Sequence, residues 1–245
     1  MEITRFSLDS GHGRSFRSAS AELMSTDTIR QLLPALQNPR NVFIVGGFLR
    51  RAVRLDVEGV EEPVGDLDVI VDGSGRAPWL DVSMLDGRVS RNVFGGYRWS
   101  STGFFRHVDI WSLESHYSIR EFKREPKIEE AMRGFPLNLD RAALNLLTRE
   151  VHDGGLVAGV RRRLIEFDAD DRYLLHLQAI RVVLLLRKTK YALGRQAREL
   201  VASKPWLGME QEMASYLLSD GWDQSAVAGL FDEANSLADE LRVGE

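Results

Sequence analysis

The chain has no cysteine. That excludes disulfides, thiolate metal sites, iron–sulfur clusters and a cysteine nucleophile together. Long apolar runs are missing as well: nothing approaches the roughly 18 consecutive apolar residues of a membrane span. The first residues lack the apolar core of a secretory leader, because Phe6 and Leu8 stand isolated among Ser, Asp, Gly and Arg. A cytoplasmic protein without membrane contact is expected. Nor is there an excess of one charge, with 32 basic residues against 36 acidic and a formal net charge of -4. Such a balance disfavours non-specific coating of nucleic acid and leaves room for a local basic face. Internal repeats and low-complexity tracts are also lacking. What remains is an ordinary globular composition, 44% hydrophobic and 28% charged over 245 residues, enough chain for one large or two small domains.

Residues 1–25, rich in Ser, Gly and Arg, read as a loosely ordered start. Ser25 or Asp27 could cap a short helix bearing Ile29, Leu32 and Leu33 that stops near Pro34. Val42-Phe43-Ile44-Val45 is a short apolar run ended by Gly46-Gly47, the pattern of a buried strand. Helical spacing follows in Phe48, Leu49, Ala52, Val53 and Leu55. A second strand is expected at 65–73, and further strands at 92–99 and 104–113 around a turn at 100–103. Beyond about residue 128 long helical patterns dominate, notably 173–193 and 224–241. The fold class is α+β, a mixed-sheet head over 26–150 followed by an all-helical domain over 151–245.

Three features carry chemistry. Gly46-Gly47 between strand and helix lets backbone approach a ligand closely, and the helix that follows offers unpaired N–H groups and a positive dipole end suited to phosphate. Neither a P-loop nor a dinucleotide fingerprint is present, since the Lys-Ser/Thr pair and a third glycine are missing. In Asp66-Leu67-Asp68, residues i and i+2 of a strand share a face, so two carboxylates stand side by side. They are stable there when protonated, solvated or bound to a cation, and hard oxygen donors suit Mg²⁺. In Val108-Asp109-Ile110, an acid interrupts an apolar strand. If that strand neighbours the first acidic one, three carboxylates converge opposite a phosphate-binding turn, as two-metal phosphoryl transfer requires.

The succession VGGFLRR, GDLDVIV and HVDIW resembles the head domain of class II CCA-adding enzymes and bacterial poly(A) polymerases, in the polymerase β-like nucleotidyltransferase superfamily. The resemblance covers about residues 40–190. It implies Gly46, Gly47 and Arg50 at a triphosphate, Asp66 and Asp68 as metal ligands, and Asp109 as the third carboxylate beside the acceptor hydroxyl, with two Mg²⁺ ions. Arg133 and Asn138, in Met132-Arg133-Gly134-Phe135-Pro136-Leu137-Asn138, stand where the family has Arg-Arg-Asp-Phe-Thr-Ile-Asn, and Arg181 lies in a neck landmark; all three are implied at the nucleotide. Where the family has Asp after its Arg, this chain has Arg51. The family's base-selecting Glu-Asp-x-x-Arg has only Asp170-Asp171-Arg172-Tyr173 as counterpart, out of step and without the Arg.

The function expected is nucleotidyl transfer from an NTP to an acceptor hydroxyl: an RNA 3′ end, a protein side chain or a small molecule. The alternative is a non-catalytic nucleotide-binding module of the same fold. Arg161 to Arg163 and the cluster Arg187, Lys188, Lys190, Arg195 and Arg198 suit either a solvated helix face or an RNA backbone. After Trp206 the acids outnumber the bases nine to one, so weak, salt-sensitive RNA binding and a compact acceptor are expected.

Overall fold

The computed structural model describes residues 2–73, 79–92, 95–101, 103–168, 174–219 and 222–243. The chain divides into two compact units, one of residues 1–135 with 139–161, the other of residues 136–138 with 162–245.

The first unit is built on a mixed sheet that has, among the described residues, eight strands: β1 (Thr4–Ser7), β2 (Asn41–Val45), β3 (Leu67–Asp72), β4 (Arg88–Arg91), β5 (Tyr97–Ser100), β6 (Val108–Ser112), β7 (Ala142–Asn145) and β8 (Glu150–Asp153). Their order is β1-β8-β7-β2-β3-β6-β5-β4. The β3–β6 pair is parallel, and every other pairing is antiparallel. The apolar runs of β2 and β3 become the sheet's centre because β-branched residues buried on both faces suit no other place. Helices α1 (Arg14–Ser25), α2 (Asp27–Ala35), α3 (Gly47–Glu58), α4 (Tyr117–Phe122), α5 (Ile128–Met132) and α6 (Leu156–Arg162) complete it.

Side chains alternate across the sheet, so β2 and β3 divide their residues between two layers. Phe43, Val45, Ile70 and Ala143 pack with Ile119 of α4 and with Ile128, Ala131 and Met132 of α5. Ile44, Val69, Val71 and Leu144, on the other face, are fully or almost fully buried. Helix α3 packs against β2, β3 and β7 and carries α1 on its far side.

The N-terminal residues are a correction to the expected loose start. Strand β1 pairs with β8, and α1 buries Phe16, Ala19 and Leu23. These three sit at i, i+3 and i+7, a helical stripe diluted by the Ser, Arg and Glu residues between them. The cap of α2 is Thr26, whose hydroxyl accepts from the Ile29 N–H, rather than Ser25 or Asp27; the helix continues one residue past Pro34. Of the strand expected at 92–99, residues 97–99 belong to β5, residues 93 and 94 lie outside the described residues, and β4 precedes it at 88–91; the tight turn expected at 100–103 gives way to a longer connection from β5 to β6.

Among its described residues the second unit is helical apart from a two-residue parallel pairing of β9 (Leu164–Ile165) with β10 (Ala192–Leu193) and a single bridge between Leu137 and Phe167. Its helices are α7 (Leu175–Thr189), α8 (Arg195–Ala202), α9 (Glu210–Ser219) and α10 (Gln224–Val243). Trp206 is fully buried and donates through its indole N–H to Asn235 Oδ1 at 3.1 Å, so it belongs to the core. No helix among the described residues is long and apolar enough to cross a membrane.

Candidate active site

The turn between β2 and α3 is tight enough to need glycine. Gly46 has φ 72° and ψ -142°, a conformation open essentially to glycine alone. A Cβ there would also lie 2.7 Å from Asp68 Oδ2. The turn is therefore pressed directly against that carboxylate. Helix α3 starts at Gly47, and its N-cap residue, Gly46, has no side chain with which to cap it. Its leading N–H groups are the kind of donors that hold an anion.

Strand register brings the acids together. Asp68 lies opposite Val45 on β2 and beside Asp109 on β6. In-register neighbours point to the same face, so Asp68 and Asp109 share one side of the sheet. Asp66 immediately precedes the first residue of β3. Both Asp66 and Asp68 are half-buried, whereas Asp109 is buried.

Arg98 on β5 lies opposite Asp109. Its Nε donates to Asp109 Oδ1 at 3.0 Å and its Nη2 to Oδ2 at 2.7 Å. Asn92 Nδ2 approaches Oδ1 at 3.4 Å. This planar, two-pronged arrangement is the strong form of a guanidinium–carboxylate pair. Sequence reasoning missed it. The signal available was the alternation of Tyr97-Arg98-Trp99, which puts Arg98 and Asp109 on one face once β5 and β6 form a hairpin.

Arg50 lies at the same turn but faces inward. Its Nη1 donates to Asp140 Oδ1 at 2.8 Å, Nη2 comes within 3.3 Å of where a Gly47 Cβ would stand, and the side chain is 7% exposed. Arg50, Arg51 and Arg54 are all buried around Glu62: Arg54 pairs with its carboxylate, Arg51 Nε donates to its backbone oxygen at 3.0 Å, and Arg50 Nε lies 4.0 Å from Oε2. Arg51 also grips Glu22 of α1 through Nη1 at 2.7 Å. Glu62 stands four residues before Asp66, so this network ties the helix that follows the glycines to the segment that leads into the acidic strand.

Three expected residues remain. Arg133, at the end of α5, is exposed and 3.4 Å from Glu130. Asn138 and Arg181 belong to the second unit. The Asn138 side chain staples β9, with Nδ2 donating to the Leu164 carbonyl at 3.0 Å and Oδ1 accepting from the Glu166 N–H at 2.9 Å. Arg181 is exposed on α7. Asp170-Asp171-Arg172-Tyr173 lie outside the described residues.

On the Asp109 strand, Trp111 stands two residues on, its ring 6.0 Å from that of His116, which also packs 5.9 Å from Phe135. His116 Nδ1 is 2.7 Å from Ser118 Oγ, which itself donates to the Ala131 carbonyl. A hydrogen bond thus joins the hydroxyl to the imidazole ring. Burial pushes its pKa down to about 4, so it is neutral at pH 7.

The donor chemistry suits a divalent cation at Asp66 and Asp68. A phosphate held at the Gly46-Gly47 turn would face the Asp68 carboxylate, and a divalent cation between them would offset the repulsion. No three His, Asp and Glu side chains among the described residues stand together as a ready ligand set.

No protein-family model matches the chain, and no curated protein is similar to it in sequence. Solved structures are similar to it in fold. A CCA-adding enzyme in complex with CTP aligns over 96% of this chain and 56% of its own, with 12% identity and a TM-score of 0.50. A tRNA-processing enzyme complex aligns over 83% and 53%, with 16% identity and a TM-score of 0.53. A tRNA-processing enzyme with CTP aligns over the same shares at 17% identity, also with a TM-score of 0.53. The chain thus spans little more than half the length of these proteins. At such identities the likeness is one of backbone, and its conclusion concerns the fold: the chain shares the α+β architecture of these structures, a mixed sheet with helices and a helical part after it.

Proposed function

We propose that the chain is a Mg²⁺-dependent nucleotidyltransferase that moves a nucleoside monophosphate from an NTP to an acceptor hydroxyl. The observation that carries this reading is the strand register that sets Asp68 beside Asp109 and against the Gly46 turn. CTP bound to structures of the same fold supports a nucleotide as substrate.

In this reading the backbone N–H groups of Gly47 and the first turn of α3 bind the triphosphate. Asp66 and Asp68 would hold Mg²⁺, which when bound supplies neutralisation of phosphate charge. Arg50 and Glu62 act behind the turn by fixing where α3 begins relative to the acids. The acceptor oxygen bonds to the α-phosphorus, the bond from that phosphorus to the bridging oxygen breaks, pyrophosphate leaves, and the hydroxyl proton passes to water at the carboxylate face.

The second unit supports a compact acceptor. Helices α9 and α10, with the short segment between them, carry Glu210, Glu212, Asp223, Asp232, Glu233, Asp239 and Glu240. Arg242 there donates from Nε to the Ala202 carbonyl at 2.6 Å, and Lys204 pairs with Asp239 at 2.8 Å. Such a surface repels a nucleic acid backbone.

The test incubates the protein with each NTP, Mg²⁺ and three acceptor pools: total RNA, protein and small hydroxyl compounds. Pyrophosphate release that needs Mg²⁺ and disappears in Asp68→Ala supports the reading. A second reading, a non-catalytic nucleotide-binding module, is favoured by the engagement of Asp109 with Arg98. Nucleotide binding with no turnover in any pool would establish it instead.

A further inference from the structure

We infer that the Arg98 guanidinium occupies the place of one of the two cations expected at the carboxylates, so that the site works with a single divalent ion on Asp66 and Asp68. This rests on the nucleotidyltransferase reading of the same site.

Three observations carry it. Both oxygens of Asp109 accept from Arg98, at 3.0 and 2.7 Å, and Asn92 adds a further contact to Oδ1. The pair is fixed by register, because Arg98 and Asp109 are direct neighbours on β5 and β6. It is also shielded: the Asp109 side chain is 7% exposed and that of Arg98 25%. A cation reaching Asp109 must displace a two-pronged ion pair that is built into the sheet, whereas Asp66 and Asp68 are half-buried.

Arg is suited to the role because its charge is permanent and its fork matches a carboxylate. Arg98 is a positioning residue in this account: it holds Asp109 and fixes a positive charge on that side of the site.

Mn²⁺ provides the test. Electron paramagnetic resonance is recorded on the full chain with Mn²⁺ and an NTP whose α,β-bridging oxygen is replaced by methylene. Two Mn²⁺ ions about 3.5–4 Å apart, the spacing of two-metal sites, give an exchange-coupled spectrum, and a lone ion does not. The wild type is expected to show the lone-ion spectrum. Arg98→Ala is expected to show the coupled spectrum, with binding of the second ion tightened at least tenfold. Arg98→Lys, which keeps the charge, stays with one ion. A coupled spectrum in the wild type overturns the inference and leaves nucleotidyl transfer standing, and this holds even if Arg98→Ala does not fold. An uncoupled spectrum in a folded Arg98→Ala also overturns it. Absence of any bound Mn²⁺ with the analogue overturns the nucleotidyltransferase reading itself.

Discussion

Replacing Gly46 by alanine separates two effects that meet at one atom. The first is conformational: at φ 72° and ψ -142° a side chain is strained wherever it points, and a residue held in such a region costs on the order of 1–3 kcal/mol. The second is steric, since the new Cβ would stand 2.7 Å from Asp68 Oδ2. A carboxylate oxygen at the end of a short side chain escapes by rotating. The collision therefore adds little to the loss of stability but moves the oxygen proposed to hold the cation. Urea unfolding followed by circular dichroism should show Gly46→Ala destabilised by about 2 kcal/mol. In an Asp68→Ala background the loss should persist, with a coupling under about 0.5 kcal/mol, because backbone strain does not depend on the carboxylate. Mn²⁺ binding should fall in the single variant even where the protein is fully folded. A loss below about 0.5 kcal/mol in the wild-type background, or one that vanishes when Asp68 is removed, would refute the assignment of the cost to the backbone.

Three further outcomes are expected. Phe16→Ala should destabilise the protein by about 3–5 kcal/mol, the cost of emptying a fully buried aromatic site; a change under about 1 kcal/mol in urea unfolding would return the N-terminal helix to the status of a loose segment. Glu62→Ala should cost about 1–3 kcal/mol, because Arg54 loses one buried carboxylate partner but keeps Glu58, and Arg50 keeps Asp140; removing Arg54 as well should recover part of that loss in a double-mutant cycle. Acid should weaken the fold through His116. Its folded pKa is depressed to about 4 from 6.5, so its contribution is whole above pH 6.5 and is lost as pH falls from there towards 4, up to about 3 kcal/mol. His152, also pushed down by burial, adds in the same direction. A His116→Gln variant whose stability falls with acid as steeply as the wild type would contradict this.

The centre of the site was legible because local pattern sufficed for it. Gly46-Gly47 after a β-branched run, and acids spaced by two at the head of a strand, are short-range signals that need only a turn and an alternation. What stayed hidden is long-range. Arg50 and Asp140 meet across 90 residues of sequence, and nothing near either one announces the other. The resemblance puts Arg50 at a triphosphate, yet Asp140 and Glu62 draw it inward. The stripe on α1 was masked by polar neighbours. Asn138 was placed at the nucleotide by resemblance, but its amide is spent on the backbone of β9, a role that only the folded chain reveals.

The two neighbours of Asp109 reach it by different kinds of connection. Asp68 arrives through a parallel pairing, with the whole of residues 73–107 between β3 and β6, and Arg98 through a short hairpin of residues 101–107. Lengthening a long connection is cheap, about 0.6 kcal/mol for each doubling, so the crossover can gain or lose segments over evolutionary time while the carboxylates keep their places. The hairpin has no such freedom. A slip of one residue there turns every side chain of β5 to the opposite face, taking Arg98 away and putting Tyr97 or Trp99 beside Asp109. An insertion or deletion that shifts this pairing by one residue would thus take the guanidinium away from Asp109 while the acids stay where they are.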